Sequence, residues 1–100
     1  GFDFSKKDVV TVIAFTGEFV GRFVEEDEES VTLDSPRAFM VDQNQQPFIA
    51  PGVCASGAQD KDLGKVRFLK SGIIAVVESH KDVADHWQRQ TSGLLTGTGV

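Results

Sequence analysis

With 100 residues, of which 40% are hydrophobic and 25% charged, the chain has the composition of one soluble globular domain, long enough for one core and too short for two. A formal charge of −5 argues against broad electrostatic capture of nucleic acid or anionic lipid, because counterion release needs clustered Lys and Arg. The longest apolar runs, residues 9–15 and 72–77, are far shorter than the ~20 residues that span a bilayer, so no membrane association is expected.

The lead-in GFDFSKKD carries Phe2 and Phe4, which suit either a one-turn helix or a frayed strand. Residues 9–15 are almost entirely β-branched or aromatic and read as a strand, turned by Thr16-Gly17-Glu18. Beyond that turn, Phe19, Gly21 and Phe23 share one face while Val20, Arg22 and Val24 share the other, a two-residue period that no helix has. Gly21 has no side chain to pack, which marks a sharp bend or a close backbone crossing. Five carboxylates, Glu25 to Glu29, form an acidic turn into a third strand over 30–34. Pro36 cannot donate to a central ladder, so 35–37 reads as a bulge before the strand resumes over 38–41.

Residues 42–64 are rich in Gln, Pro, Gly and Asp and read as a long loop insertion, with Phe48-Ile49 and Val53 as its apolar anchors. Two strands follow, 65–70 and 72–78, joined at Ser71-Gly72. In the second, Ile73, Ala75 and Val77 oppose Ile74 and Val76, so both faces are apolar and both need cover; in a chain this small a neighbouring subunit is the expected source. Ser79, three residues before Asp82, resembles a capping box that starts a helix through Trp87, which anchors it to the sheet. The helix ends near Gly93, and the last residues read as a flexible tail.

These residues, in this order, resemble the Sm-like family. Phe19, Gly21, Phe23 and Asp27 stand where its first motif has an apolar residue, a glycine, an apolar residue and an aspartate six positions after the glycine. Ser71-Gly72 ahead of IIAVV, with Lys70 one position earlier, resembles its second motif. The phrases GEFVGR and VTLDSPRAF, and a terminal helix running into TSGLL, are similar to small Sm-like proteins encoded by marine phages. The likeness covers most of residues 9–79 and excludes the long loop.

The resemblance implies a mostly β fold, a five-stranded, strongly bent antiparallel barrel with a short C-terminal helix. It also implies a homo-oligomeric ring of roughly five to seven subunits, closed by pairing the penultimate strand of one subunit with the last strand of the next. Val66, Phe68, Ile73, Ile74 and Val76 are then the expected subunit interface. Asp27, Ser30, Lys70, Ser71 and Gly72 are the positions expected to meet single-stranded RNA.

The sequence departs from the RNA-binding members at that last point. Their first loop supplies a stacking side chain and an asparagine that reads uracil, and their second loop supplies a basic residue beneath the base. Here the asparagine position falls at Ser30 or Val31, no aromatic residue or His lies between Glu25 and Leu33, and the basic position is Ser71. The acidic run, repeated around a ring, would repel phosphate. A scaffold or protein-interaction role is expected in place of the usual uracil pocket, the alternative being RNA binding through Lys65, Arg67 and Lys70 or through the long loop.

Nothing in the sequence argues for an enzyme, a metal or a cofactor. His80 and His86 are six apart and do not share a helix face. DKDLG at 60–64 lacks the third acidic ligand and closing glutamate of a calcium loop. Cys54 is the single cysteine, which excludes an intrachain disulfide and a cysteine zinc cage. With no secretory leader pattern at the start, a reducing, cytoplasmic setting is expected, such as that of a phage-infected host.

Overall fold

The computed structural model describes residues 2–57 and 64–92. Its elements are β1 (Val9–Ala14), β2 (Gly17–Glu26), β3 (Ser30–Val41), β4 (Pro47–Ile49), β5 (Lys65–Leu69), β6 (Ile73–Glu78) and α1 (Lys81–Thr91). The expected 60–63 turn and the tail from 93 lie outside the described residues.

All ladders are antiparallel and form one sheet in the order β4-β3-β2-β1-β6, with β5 also paired to β3. Six strands therefore replace the expected five. The additional one, β4, arises inside the long loop because Asp42 Oδ1 accepts the amides of Asn44 and Gln46 and closes a tight turn. That turn returns Pro47–Ile49 alongside Phe39–Val41. Of the loop's expected anchors, Ile49 is buried and Val53 packs on the core, whereas Phe48 is exposed.

The expected bulge in β3 is present. Val20 pairs with Arg37 and Arg22 with Asp34, so Gly21 alone faces Ser35 and Pro36, and Ser35 has φ +52. The extra residue inverts the side-chain parity of β3: Val31 and Leu33 point into the main core before it, Ala38 after it. Gly21 is the close crossing the sequence suggests. A Cβ there would stand 3.1 Å from Leu33 Cβ and 3.1 Å from the Pro36 Cα.

Two apolar layers result. Val10, Val12, Phe19, Phe23, Val31, Leu33 and Val76 fill the concave side of the sheet, with the lead-in's Phe2 and Phe4 packed against them. Val20, Ile49 and Trp87 form a second layer beneath α1. Trp87 is buried and anchors the helix, as expected, and its indole N–H donates to the Ser35 carbonyl at 2.8 Å. The helix cap differs from expectation. His80 Nδ1 accepts the Asp82 amide at 3.1 Å, while Ser79 is drawn away by a 2.8 Å hydroxyl bond with Thr11.

The sheet does not close into a barrel. One turn of 3-10 helix, Lys70–Gly72, connects β5 to β6, yet β5 pairs with β3 and β6 with β1. The turn is tied to both sides: the Lys70 amide donates to Glu29 O at 2.7 Å, and the Phe15 amide donates to Gly72 O at 3.1 Å. These bonds hold the two strands to opposite edges of the curled sheet. A register shift where β6 meets the end of β1, with Ile13 opposite Ala75 and Ala14 opposite Ile73, leaves Ile74 as the extra residue. It therefore corrects the simple alternation of β6. Ile73 and Val76 both reach the core, and Ile74 is turned outward.

Candidate functional site

The acidic tip and the Lys70–Gly72 turn are neighbours, so the five residues expected to meet RNA do come together, and the polar side chains of Asp27, Ser30 and Lys70 are already engaged. Asp27 Oδ1 accepts the amides of Glu29 at 2.8 Å and Ser30 at 2.7 Å, and the Ser30 hydroxyl at 3.0 Å. This is an aspartate closing its own turn. The amide of Glu29 is the main cause, and the bonds from Ser30 the next, that hold the Asp27 carboxyl below its ordinary range. Ser30 is buried, and its oxygen also accepts from Arg67 Nη2 at 3.3 Å. Arg67 in turn lies 3.9 Å from Asp27 Oδ2.

Lys70 is the cation nearest the expected base position. Its ammonium donates to Glu26 Oε2 at 2.7 Å and lies 5.5 Å from the centroid of the Phe2 ring. The second Glu26 oxygen accepts the Phe2 amide. Lys70 first, and the Phe2 amide second, pull the Glu26 carboxyl below its ordinary range. Ser71 is exposed and within the turn. Gly72 is not demanded by space, since a Cβ there would meet nothing within 4 Å.

The five-carboxylate run therefore divides by task. Glu26 holds Lys70, Asp27 shapes the turn, and both are committed within the chain. Sequence reading missed Glu26 and Phe2 as parts of this cluster. Their signal was weak, because the lead-in could not be assigned to an element and so could not be brought next to a turn 68 positions away.

The expected interface residues separate into two sets. Phe68, whose ring centroid is 5.3 Å from that of Phe19, packs on the core together with Ile73; Val66 is half-buried; and Val76 is 8% exposed. The side chain of Val76 belongs to the chain's own core, so at a subunit boundary it offers backbone only. Ile74 is 62% exposed, and Leu69 and Val77 are exposed beside the same two strands. Among the described residues, β5 is paired along one edge and β6 along one edge, leaving an unpaired edge on each.

Elsewhere, a cleft of about 480 Å³ lies between the start of β2, the end of β3 and the segment after β4, lined by Phe19, Phe39, Met40 and Val53. Among the described residues no group of three or more His, Cys, Asp or Glu is placed to hold a metal ion, and no helix is long and apolar enough to cross a membrane. No protein-family model and no curated protein matches this chain.

Proposed function

We propose that this chain is a ring-forming Sm-like protein, an oligomeric scaffold or protein-interaction module of phage origin acting in the host cytoplasm, in which the place of a uracil pocket is taken by an internally paired turn. The observation that carries this reading is the pair of strand edges, on β5 and β6, that have no partner among the described residues and are flanked by exposed Leu69 and Ile74. Such edges present a row of N–H and C=O groups that need partners, and head-to-tail pairing of β5 with the β6 of the next copy satisfies both at once. The loss of nucleotide binding is supported by Lys70, whose charge is held by Glu26, and by Arg67, which faces Ser30 and Asp27. Sedimentation of the purified chain over a range of concentrations tests assembly.

A second reading, an RNA-binding ring with non-standard contacts, is favoured by one observation: the Arg67 side chain is 62% exposed and its distance to Asp27 is long for an ion pair. Titration of labelled oligo-U and oligo-A at low salt separates the two, since phosphate contacts made by Arg67, Lys65 or Lys70 would give strongly salt-dependent binding.

A further inference from the structure

We infer that His80 is a pH-sensitive catch on α1: unprotonated, it closes the first turn of the helix over the sheet; protonated, it releases that turn and turns to the carboxylates beside it. The device is separate from the strand edges and from the Lys70–Gly72 turn, and does not depend on assembly.

The catch is a hydrogen bond that runs in one direction only. His80 Nδ1 accepts the Asp82 amide at 3.1 Å, and because a backbone N–H can only donate, the proton of the neutral ring sits on Nε2. Protonation at Nδ1 removes the acceptor. It also places a positive charge at the helix end whose unpaired amides are already positive. The commoner capping residues Ser, Thr and Asn keep their acceptor oxygen throughout the range in which an imidazole titrates, so a histidine cap is the one that responds to pH. Ser79, the neighbouring hydroxyl, is occupied by Thr11 at 2.8 Å.

The released ring has partners. His80 lines a cleft of about 200 Å³ under the start of α1 together with Glu18 of β2, Glu78 of β6 and Val83 of the helix, and the residues that β1 and β3 bring to it carry no charge. Among the described residues neither Glu18 nor Glu78 is in an ion pair. On the helix itself, Asp82 lies in the first turn and Lys81 is paired with Asp85 at 2.8 Å. An imidazolium that leaves the cap therefore meets carboxylates on three elements.

Opening is confined to one turn. The Trp87 indole is bonded to Ser35 O at 2.8 Å and Gln90 Nε2 to Ile49 O at 3.2 Å, which fixes the later part of the helix to β3 and β4. The first turn is held by the cap, by the Ala84 amide on His80 O at 2.9 Å, and by Val83, half-buried against the second apolar layer. The closed turn needs a bare Nδ1 and so binds one proton fewer than the open turn. Falling pH consequently shifts the equilibrium toward the open turn and uncovers the apolar floor of the cleft, Val20 and Phe39.

The test is amide hydrogen exchange of the full native chain, followed by NMR from about pH 8 to about pH 5. Rates are read as protection factors, which removes the intrinsic pH dependence of exchange, and the ring nitrogen shifts of His80 are recorded in the same samples. At the upper pH the ring should be neutral with its proton on Nε2. As it protonates, protection of the Asp82 and Ala84 amides should fall by roughly tenfold, the factor that goes with loss of one helix cap. His80→Asn, a cap with no titrating group, should hold both protection factors level over the same range, with His86 still present as the control. Protonation of His80 without loss of protection at Asp82 and Ala84, the same pH dependence in His80→Asn, or an equal loss through the whole helix to Gln90 would overturn the inference.

Discussion

The indole N–H of Trp87 donates to the carbonyl of Ser35 at 2.8 Å, joining the middle of α1 to the one residue of β3 that takes a left-handed conformation. The bond explains why helix and bulge belong together. The bulge at Ser35 turns a half-buried strand carbonyl out of the ladder, and the helix supplies a donor to it, beside the longer bond from Arg37 Nη1 at 3.4 Å. Trp87→Ala should therefore destabilise the fold by about 3–5 kcal/mol, through lost burial and a cavity between Val20 and Ile49. Trp87→Phe should cost less, because it keeps much of the apolar area and loses mainly the bond. Urea unfolding of the two variants measures the difference.

Gly21→Ala should destabilise by about 1–3 kcal/mol, since the added methyl presses on the Pro36 backbone, which has little freedom to move. Gly72→Ala should be close to neutral by the same measurement, because the space around it is open. The contrast is informative. The sequence singles out both glycines, and only the first is required by packing.

The tip should make the chain sensitive to acid. Asp27 and Glu26 are held below the ordinary carboxylate range, so the folded state binds their protons less readily than the unfolded state. The stability they contribute is present above about pH 4 to 4.5 and is lost as pH falls through their folded values. Asp27→Asn should flatten the acid limb of a stability-versus-pH profile, and Glu26→Gln should do so independently. An unchanged acid limb in both variants would mean that the tip carries no such linkage.

Much of this architecture was legible in the sequence for a physical reason: strand period, bulge and anchor are local properties. Phe19 and Phe23 alternate with Val20 and Arg22, Pro36 cannot join a ladder, and Trp87 is too large to leave in water. Features that depend on distant partners were not legible. Ser79 was the better cap by residue type, but Thr11, far away in sequence, takes its hydroxyl and leaves the cap to His80. The outward turn of Ile74 follows from a register shift against β1 that no pattern within β6 reports. At the site, the acidic run showed that the turn was unusual. That Glu26 is spent on Lys70 and Phe2 emerges only when three separate segments are brought together.

Oligo-U and oligo-A should show no salt-sensitive binding, because Lys70 and Arg67 are already engaged by Glu26, Ser30 and Asp27. Fluorescence anisotropy at low and moderate salt checks this. Glu26→Gln, which removes the carboxylate charge beside Lys70, is the variant in which binding should first appear.

Ile74→Lys should leave the fold intact, since Ile74 is 62% exposed, while weakening assembly by placing a charge beside the unpaired edge of β6. A folded variant with native sedimentation would place the subunit contact elsewhere.

The most direct measurement of the central claim is sedimentation equilibrium of the native chain across a wide concentration range. The account predicts one closed species of roughly five to seven chains, with a mass that does not drift with concentration. A species with the mass of a single chain at every concentration would contradict it.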